Sequence, residues 1–355
     1  MQLFNTHNSL PGRRGDFLTW RIIQFLFWLV GVLLLILLFY KPGLGTRLFW
    51  NGLIPLAPAL LVLCTGVWRN ICPLGTTSLL PDRLGISRGL KIPVRAQPVL
   101  HLAGLILLFV IIPLRHVLFN HDGIATGLLL MGLATLAFTS GILFERKSAW
   151  CSGLCPVHPV EKLYGSNVAF TLTNAHCADC VKCSVPCPDS SPVTKPFLLH
   201  RPAVTKATEF LLAGAFPGYI WGWFHTPEYT GDDGWQHLET VYGLPLAGAA
   251  CSFVFYLLLT RMFPHQQNRV IRLFAAAAVS CYYWYRLPLL FGFNQDEPQH
   301  LLIDLSPLLP GWSIRVFTVL TTAFFTWWIL IRRRERSSWS FRPKSAKKNG
   351  LIPVK

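Results

Sequence analysis

The sequence predicts an all-α polytopic membrane protein, a bundle of about eight transmembrane helices with a small cytoplasmic cysteine-bearing insertion. Three observations predict it. Hydrophobic residues make up 52% of the 355-residue chain and charged residues only 14%. The apolar residues fall in uninterrupted runs, each long enough to cross about 30 Å of hydrocarbon. Lysine and arginine gather in alternate connections, as the positive-inside rule requires of a chain that crosses a bilayer repeatedly.

The chain opens on a polar stretch with Arg13 and Arg14, followed by an apolar run over about 17–40. This run lacks the short h-region and small-residue cleavage site of a removed signal, so it reads as a retained first span. A second run, about 48–67, contains Pro55 and Pro58, which bend a helix, and leads into Trp68-Arg69-Asn70-Ile71-Cys72-Pro73. Spans over about 98–119 and 123–144 form a hairpin whose short connection holds His116, His121 and Asp122. Cys151-Ser-Gly-Leu-Cys155-Pro156-Val157-His158 follows. The two Cys-Pro segments read as copies of one unit, a two-helix hairpin plus a cytoplasmic loop, with Trp68 standing where the second copy has Cys151. Four more spans follow, over about 207–224, 243–263, 270–291 and 312–331. The organisation is thus a membrane domain over 1–144 with a Cys-Pro loop at 68–95, a cytoplasmic segment over 145–206, a second membrane domain over 207–331, and a basic tail over 332–355.

Charge placement gives the orientation. With the N-terminus in the cytoplasm, the external or embedded basic residues are only Lys41, Arg47, Arg115, Arg286 and Arg315, and the rest lie inside. The outward loops carry acids instead: Glu228, Asp232, Asp233 and Glu239 in one, Asp296, Glu297 and Asp304 in the other. The net charge of +16 follows from this asymmetry and from contact with anionic lipid, so no nucleic-acid partner is needed to explain it. The chain has no GxGxxG, P-loop or GxSxG motif, so neither a nucleotide site nor a nucleophile elbow is visible.

The chemistry is concentrated in Cys177-Ala-Asp-Cys180-Val-Lys-Cys183-Ser-Val-Pro-Cys187-Pro188. Thiols separated by two, two and three residues and closed by proline match the bacterial ferredoxin run, which aims neighbouring thiolates at one [4Fe–4S] cube. The insertion is therefore read as ferredoxin-like, with Cys177, Cys180, Cys183 and Cys187 as ligands. Zinc usually takes two separated knuckles, and disulfides this crowded would be strained. A segment of about sixty residues builds little core of its own and needs such a staple. Cys72, Cys151 and Cys155 form a candidate second metal site. In two-cluster ferredoxins the cysteine before proline ligates the other cluster. On that pattern Cys155 would complete the cube of Cys177, Cys180 and Cys183, leaving Cys187 to join Cys72 and Cys151, with Cys64 or His158 as a fourth ligand. The alternative keeps Cys187 in its own cluster and leaves the other three as redox-active or structural thiols. His101, within the third span, could ligate haem or bond a quinone, although an isolated membrane histidine more often bonds a neighbouring helix. His225, Glu228, Asp232, Asp233, His237 and Glu239, with Asp296, Glu297 and His300, offer external metal ligands or merely solvated acids. Arg286, among Tyr282, Tyr283, Trp284 and Tyr285, is costly in a span unless it is paired.

Spans ending in Cys-Pro loops and followed by this cysteine run resemble the membrane-bound [4Fe–4S] ferredoxin family typified by NapH, NosR and MauN, with the CcoG (FixG) group as more distant relatives. The resemblance covers roughly residues 17–192. It implies that Cys177, Cys180, Cys183 and Cys187 hold a cluster, that Cys72, Cys151 and Cys155 are membrane-proximal thiols, and that electrons pass between the quinone pool and a redox partner protein. The protein is thus expected to be a multi-pass protein of the bacterial cytoplasmic membrane, and the even span number with the charge pattern puts both termini and the cluster segment inside. The sequence has one ferredoxin run where the family commonly has two. Three functions stay open: electron relay, a maturation factor supplying electrons or metal to a respiratory metalloenzyme, and a membrane protein whose cluster is purely structural.

Overall fold

The structure is a computed structural model that describes residues 14–93, 95–169, 172, 174–176, 202–229, 231–293 and 301–332. Among the described residues the chain is helical, and extended pairing is confined to one isolated bridge between Leu90 and Phe144. The Cys177–Cys187 run lies outside the described residues.

The elements are α1 (Arg14–Tyr40), α2 (Pro42–Thr46), α3 (Ile54–Ile71), α4 (Pro73–Arg83), α5 (Ala96–Ile111), α6 (Gly123–Leu143), α7 (His158–Tyr164), α8 (Ala203–Phe224), α9 (Leu238–Met262), α10 (Gln267–Leu290) and α11 (Gly311–Thr326). Among the described residues six helical stretches are long and apolar enough to cross a membrane: Leu18–Tyr40, Pro42–Arg83, Ala96–Arg115, Gly123–Leu143, Gly234–Met262 and Gly311–Ile331. The protein therefore has the character of a multi-pass membrane protein, able to associate with lipid. α1 shows why such helices need lipid, because Phe25, Leu29, Val30 and Leu33 all lie exposed on it.

α8 and α10 fall short of that apolar standard for a physical reason. In α8 the consecutive residues Leu212, Ala213, Gly214, Ala215 and Phe216 are all buried, and in α10 Phe274, Ala275, Ala276, Ala278 and Val279 are buried. Burial in successive residues means that protein covers most of the circumference over these stretches, although Trp221 of α8 and Trp284 of α10 remain exposed. Such a helix needs partners for its polar groups more than it needs an apolar surface.

α8 and α9 cross at glycines. A Cβ at Gly218 would collide with the backbone of Gly248, and one at Gly222 with the carbonyl of Leu244. Small residues at such crossings let two backbones approach. Gly218→Val is therefore expected to destabilise the protein by about 1–3 kcal/mol or more, since the obstacle is backbone that cannot move aside. Thermal unfolding in detergent would show it, with Gly132→Val as control, because nothing lies within 4 Å of a Cβ there.

Pro55 and Pro58 do open the second span, with help from α10. The hydroxyl of Tyr283 accepts from Ala59 N (3.0 Å) and donates to Pro55 O (2.7 Å), so it is inserted between the two ends of one helical hydrogen bond. A second break falls at Cys64, whose φ of −144° and ψ of 50° are not helical. There Leu63 O accepts from Ala169 N at 2.7 Å, so the strap after α7 replaces the missing helical bond. Pro113 ends α5 in the same manner. It has no N–H for Phe109 O, and Tyr219 Oη donates to that carbonyl at 3.0 Å instead.

The connections differ from solvent-facing loops. Residues 68–95 contain α4, which packs along α6 and α1. In the second connection Lys147, Trp150, Ser152, His158, Glu161, Lys162 and Tyr164 are all buried. Both segments fold back into the bundle. Arg69, Lys147 and Lys162 are thus internal and are not free orientation charges as the sequence count assumed.

Candidate thiol and histidine site

Two Cys-Pro breaks build the site. Proline disfavours the α region for the residue before it, and Cys72 (φ −57°, ψ 122°) and Cys155 (φ −59°, ψ 125°) accordingly adopt the same extended conformation. Each break is seated on the first helix of its own repeat through a glycine. A Cβ at Gly31 of α1 would meet Pro73 Cβ at 2.7 Å, and one at Gly104 of α5 would meet Gly153 O at 2.9 Å and Cys155 O at 3.1 Å. Both glycines lie well inside their helices, so both cysteines are drawn into the bundle.

The three thiols read from the sequence as a second site are brought together. A Cβ on Gly75 would stand 3.3 Å from Cys151 Sγ and 3.6 Å from Cys72 Cβ, so the Cys151 thiol rests over α4 beside Cys72. Burial pushes the Cys151 thiol up to about 11, with Lys147 and Arg69 opposing and Cys72 and Glu161 adding to the rise. Burial also holds Cys155 well above its usual value, and Cys151 and Cys72 raise it further. The thiols therefore stay protonated and unreactive by themselves, and a metal that bound them would displace their protons. Among the described residues no three His, Cys, Asp or Glu side chains are already disposed to chelate one ion. Cys64 stands apart at the helix break, and His158 has other partners.

Beneath the thiols lies a buried polar network. Arg69 Nη1 lies 3.2 Å from Glu161 Oε1, and Arg69 Nη2 donates to Ser152 Oγ at 2.6 Å. Arg69 stands three residues before Cys72 and Ser152 three before Cys155, so matching positions of the two repeats bond to each other. Lys147 Nζ donates to Arg69 O at 2.8 Å. A second buried pair, Lys162 Nζ and Glu209 Oε1 at 3.0 Å, ties α7 to α8.

His101 and His158 meet through their Nε2 atoms at 2.7 Å, and His101 Nε2 also lies 2.7 Å from Ser152 O. A carbonyl only accepts, so His101 Nε2 carries the hydrogen. His158 Nε2 is then the lone pair, which puts the His158 hydrogen on Nδ1, 3.7 Å from Glu161 Oε2. Burial, reinforced by Lys162 and Arg69, pushes His158 well below the usual imidazole value and keeps it neutral. His101 thus tethers α5 to the second Cys-Pro segment, as a membrane histidine that bonds a neighbouring element does.

The chain leads into the Cys177–Cys187 run from this site. Ala175 N donates to Asn70 Oδ1 at 2.9 Å, and His176 is buried. Asn70 stands two residues before Cys72, and Ala175 two before Cys177. Arg69, Lys147, Ser152 and Glu161 were missed in the sequence. Their signal was weak: charges next to Cys-Pro pairs, which read equally well as loop residues.

Of the acids read from the sequence as external, Glu228 is arranged otherwise than expected. Glu228 engages His116 and His121, whereas His225 stacks on Trp221 and His237 on Tyr229. Asp296, Glu297 and His300 lie outside the described residues. Arg286 donates to Trp50 O (3.0 Å) and Asn51 Oδ1 (2.6 Å).

Compared with models of known protein families, with curated proteins and with solved structures, the chain finds no match in any of the three.

Proposed function

We propose that the protein relays electrons across the inner face of a bacterial cytoplasmic membrane, between quinone and a redox partner protein. In this reading Cys177, Cys180, Cys183 and Cys187 hold a [4Fe–4S] cluster, and α8 and α10 join the six apolar stretches as spans, giving eight with both termini inside. The observation that supports it best is the meeting of Cys72, Cys151 and Cys155 where the chain leads into the Cys177 run. Thiols from two repeats gathered where the chain enters a ferredoxin-like motif support a short electron path. The thiols fit a metal by donor chemistry, being soft ligands, Cys151 buried and Cys72 and Cys155 partly so, with Lys147 and Arg69 to offset thiolate charge.

Redox titration of anaerobic protein followed by electron paramagnetic resonance tests the reading. A reversible one-electron signal that short-chain quinol can reduce is expected. A cluster that cannot be reduced or oxidised without loss of iron would leave only the structural role. Reporters placed near Asp189 and after Lys355 should read cytoplasmic and one near Asp233 external, and the reverse pattern would put the cluster in the wrong compartment.

A further inference from the structure

A second buried charged cluster lies at the opposite end of α5 from His101. Arg115 closes the short turn Pro113–Arg115 and is 2% exposed. Its guanidinium lies 4.2 Å from the centre of the Trp50 ring and 4.8 Å from that of Trp223, and its Nε donates to Asn120 Oδ1 at 3.0 Å. Its Nη2 is buried with no hydrogen-bond partner. Among the described residues no carboxylate forms an ion pair with it. Glu228 acts on Arg115 at longer range but is already shared by His116 Nδ1 (2.8 Å), His121 Nε2 (2.9 Å) and Asn120 Nδ2 (2.8 Å). Arg286, held on the Trp50 carbonyl, adds a like charge nearby. A buried guanidinium solvated by one amide and two indole faces lacks its counter-charge.

His116 stands next to it, also packed on Trp223 with ring centres 4.7 Å apart, and its Nε2 is buried and unpartnered. The approach of His116 Nδ1 to Glu228 is close but poorly aligned for a hydrogen bond, so it is chiefly an electrostatic contact. From His116 to Glu228 to His121 the side chains are 4%, 7% and 22% exposed, which makes a graded route from the cluster to the surface.

We propose that Arg115 and His116 form a site for a small monovalent anion of halide size, and that binding is accompanied by uptake of one proton on His116, delivered along His121 and Glu228. The anion supplies the charge that Arg115 lacks. The proton passed from Glu228 lands on His116 Nδ1, the atom that faces it, so the Nε2–H of the resulting imidazolium becomes a charged second donor to the anion. The ion is small because both nitrogens are closed from solvent on adjacent residues. The groups that bear on His116 are Arg115 beside it, Glu228 and His121, Tyr282 and Arg286 of α10 through Arg115, and His237 through Tyr229, whose N donates to His116 O at 2.9 Å. The site is independent of the thiols and of any cluster.

The test is chloride titration of the full chain in lipid nanodiscs, with gluconate holding ionic strength, followed by tryptophan fluorescence and by chloride NMR line width. Wild type should saturate, with affinity falling as pH rises, by up to about tenfold per pH unit, the slope of one proton per anion. Arg115→Gln should weaken binding at least about tenfold. His116→Gln should bind more weakly and lose the pH slope, and that slope remains readable if the Arg115 variant does not assemble. No saturable response in wild type at pH near 6, an unchanged response in Arg115→Gln, or an unchanged slope in His116→Gln would each overturn the proposal.

Discussion

Anaerobically purified protein should be brown and carry about four irons per ferredoxin run, and Cys180→Ala should lose all of them. Cys180 is the second proposed ligand of the Cys177–Cys187 run, and a cube short of one of its thiolates does not hold its iron. Stoichiometric zinc without iron would remove the assignment. Two further variants decide whether the buried thiols hold a second cluster. If Cys72, Cys151 and Cys155 take part, iron should start near eight and fall to about four in Cys72→Ser, with the remaining cube intact. The same count in Cys72→Ser and Cys151→Ser as in wild type would leave these thiols free. Their high proton affinity, set by burial, means that any metal there must be loaded against proton release. Loading should therefore be easier at alkaline pH, the direction given by thiols whose protons must leave.

Much of the architecture was legible because hydropathy and the charge pattern act over whole helices. The runs over 17–40, 98–119 and 123–144 correspond to α1, α5 with its terminal turn, and α6. The repeat was legible as well, since proline forces the same local geometry on Cys72 and Cys155 wherever it occurs. The inward fold of the Cys-Pro segments was not. It depends on Gly31 and Gly104 being opposite the right backbone atoms, and a glycine in an apolar run does not announce what it faces. The buried arginines and lysines were misread for a related reason. Composition treats Arg69 and Lys147 as orientation charges, while only three-dimensional packing shows that Glu161 and the Arg69 carbonyl receive them.

Removing one side of the Arg69–Glu161 pair should be among the most damaging single changes in the described structure. Both side chains are nearly fully buried, at 2% and 5% exposure, so Arg69→Met leaves a carboxylate in a dry site and also strips Ser152 of its partner. Breaking such a pair costs about 3–5 kcal/mol. The double variant Arg69→Met with Glu161→Gln should recover part of that loss, because the pair is coupled and the orphaned charge is gone. Acidity supplies a second check. Burial already raises the Glu161 carboxyl above its usual value, and Arg69 is the main group opposing the rise. Without Arg69 it rises further, so folded Glu161 binds a proton that the unfolded chain releases. Stability of Arg69→Met should then be lost as pH climbs from the usual carboxyl range through that raised value, and be recovered on the acid side. Thermal unfolding in detergent across that range measures it. A variant that melts like wild type at neutral pH, or whose deficit grows on acidification, would show that Arg69 does not hold Glu161 at the junction of the two repeats.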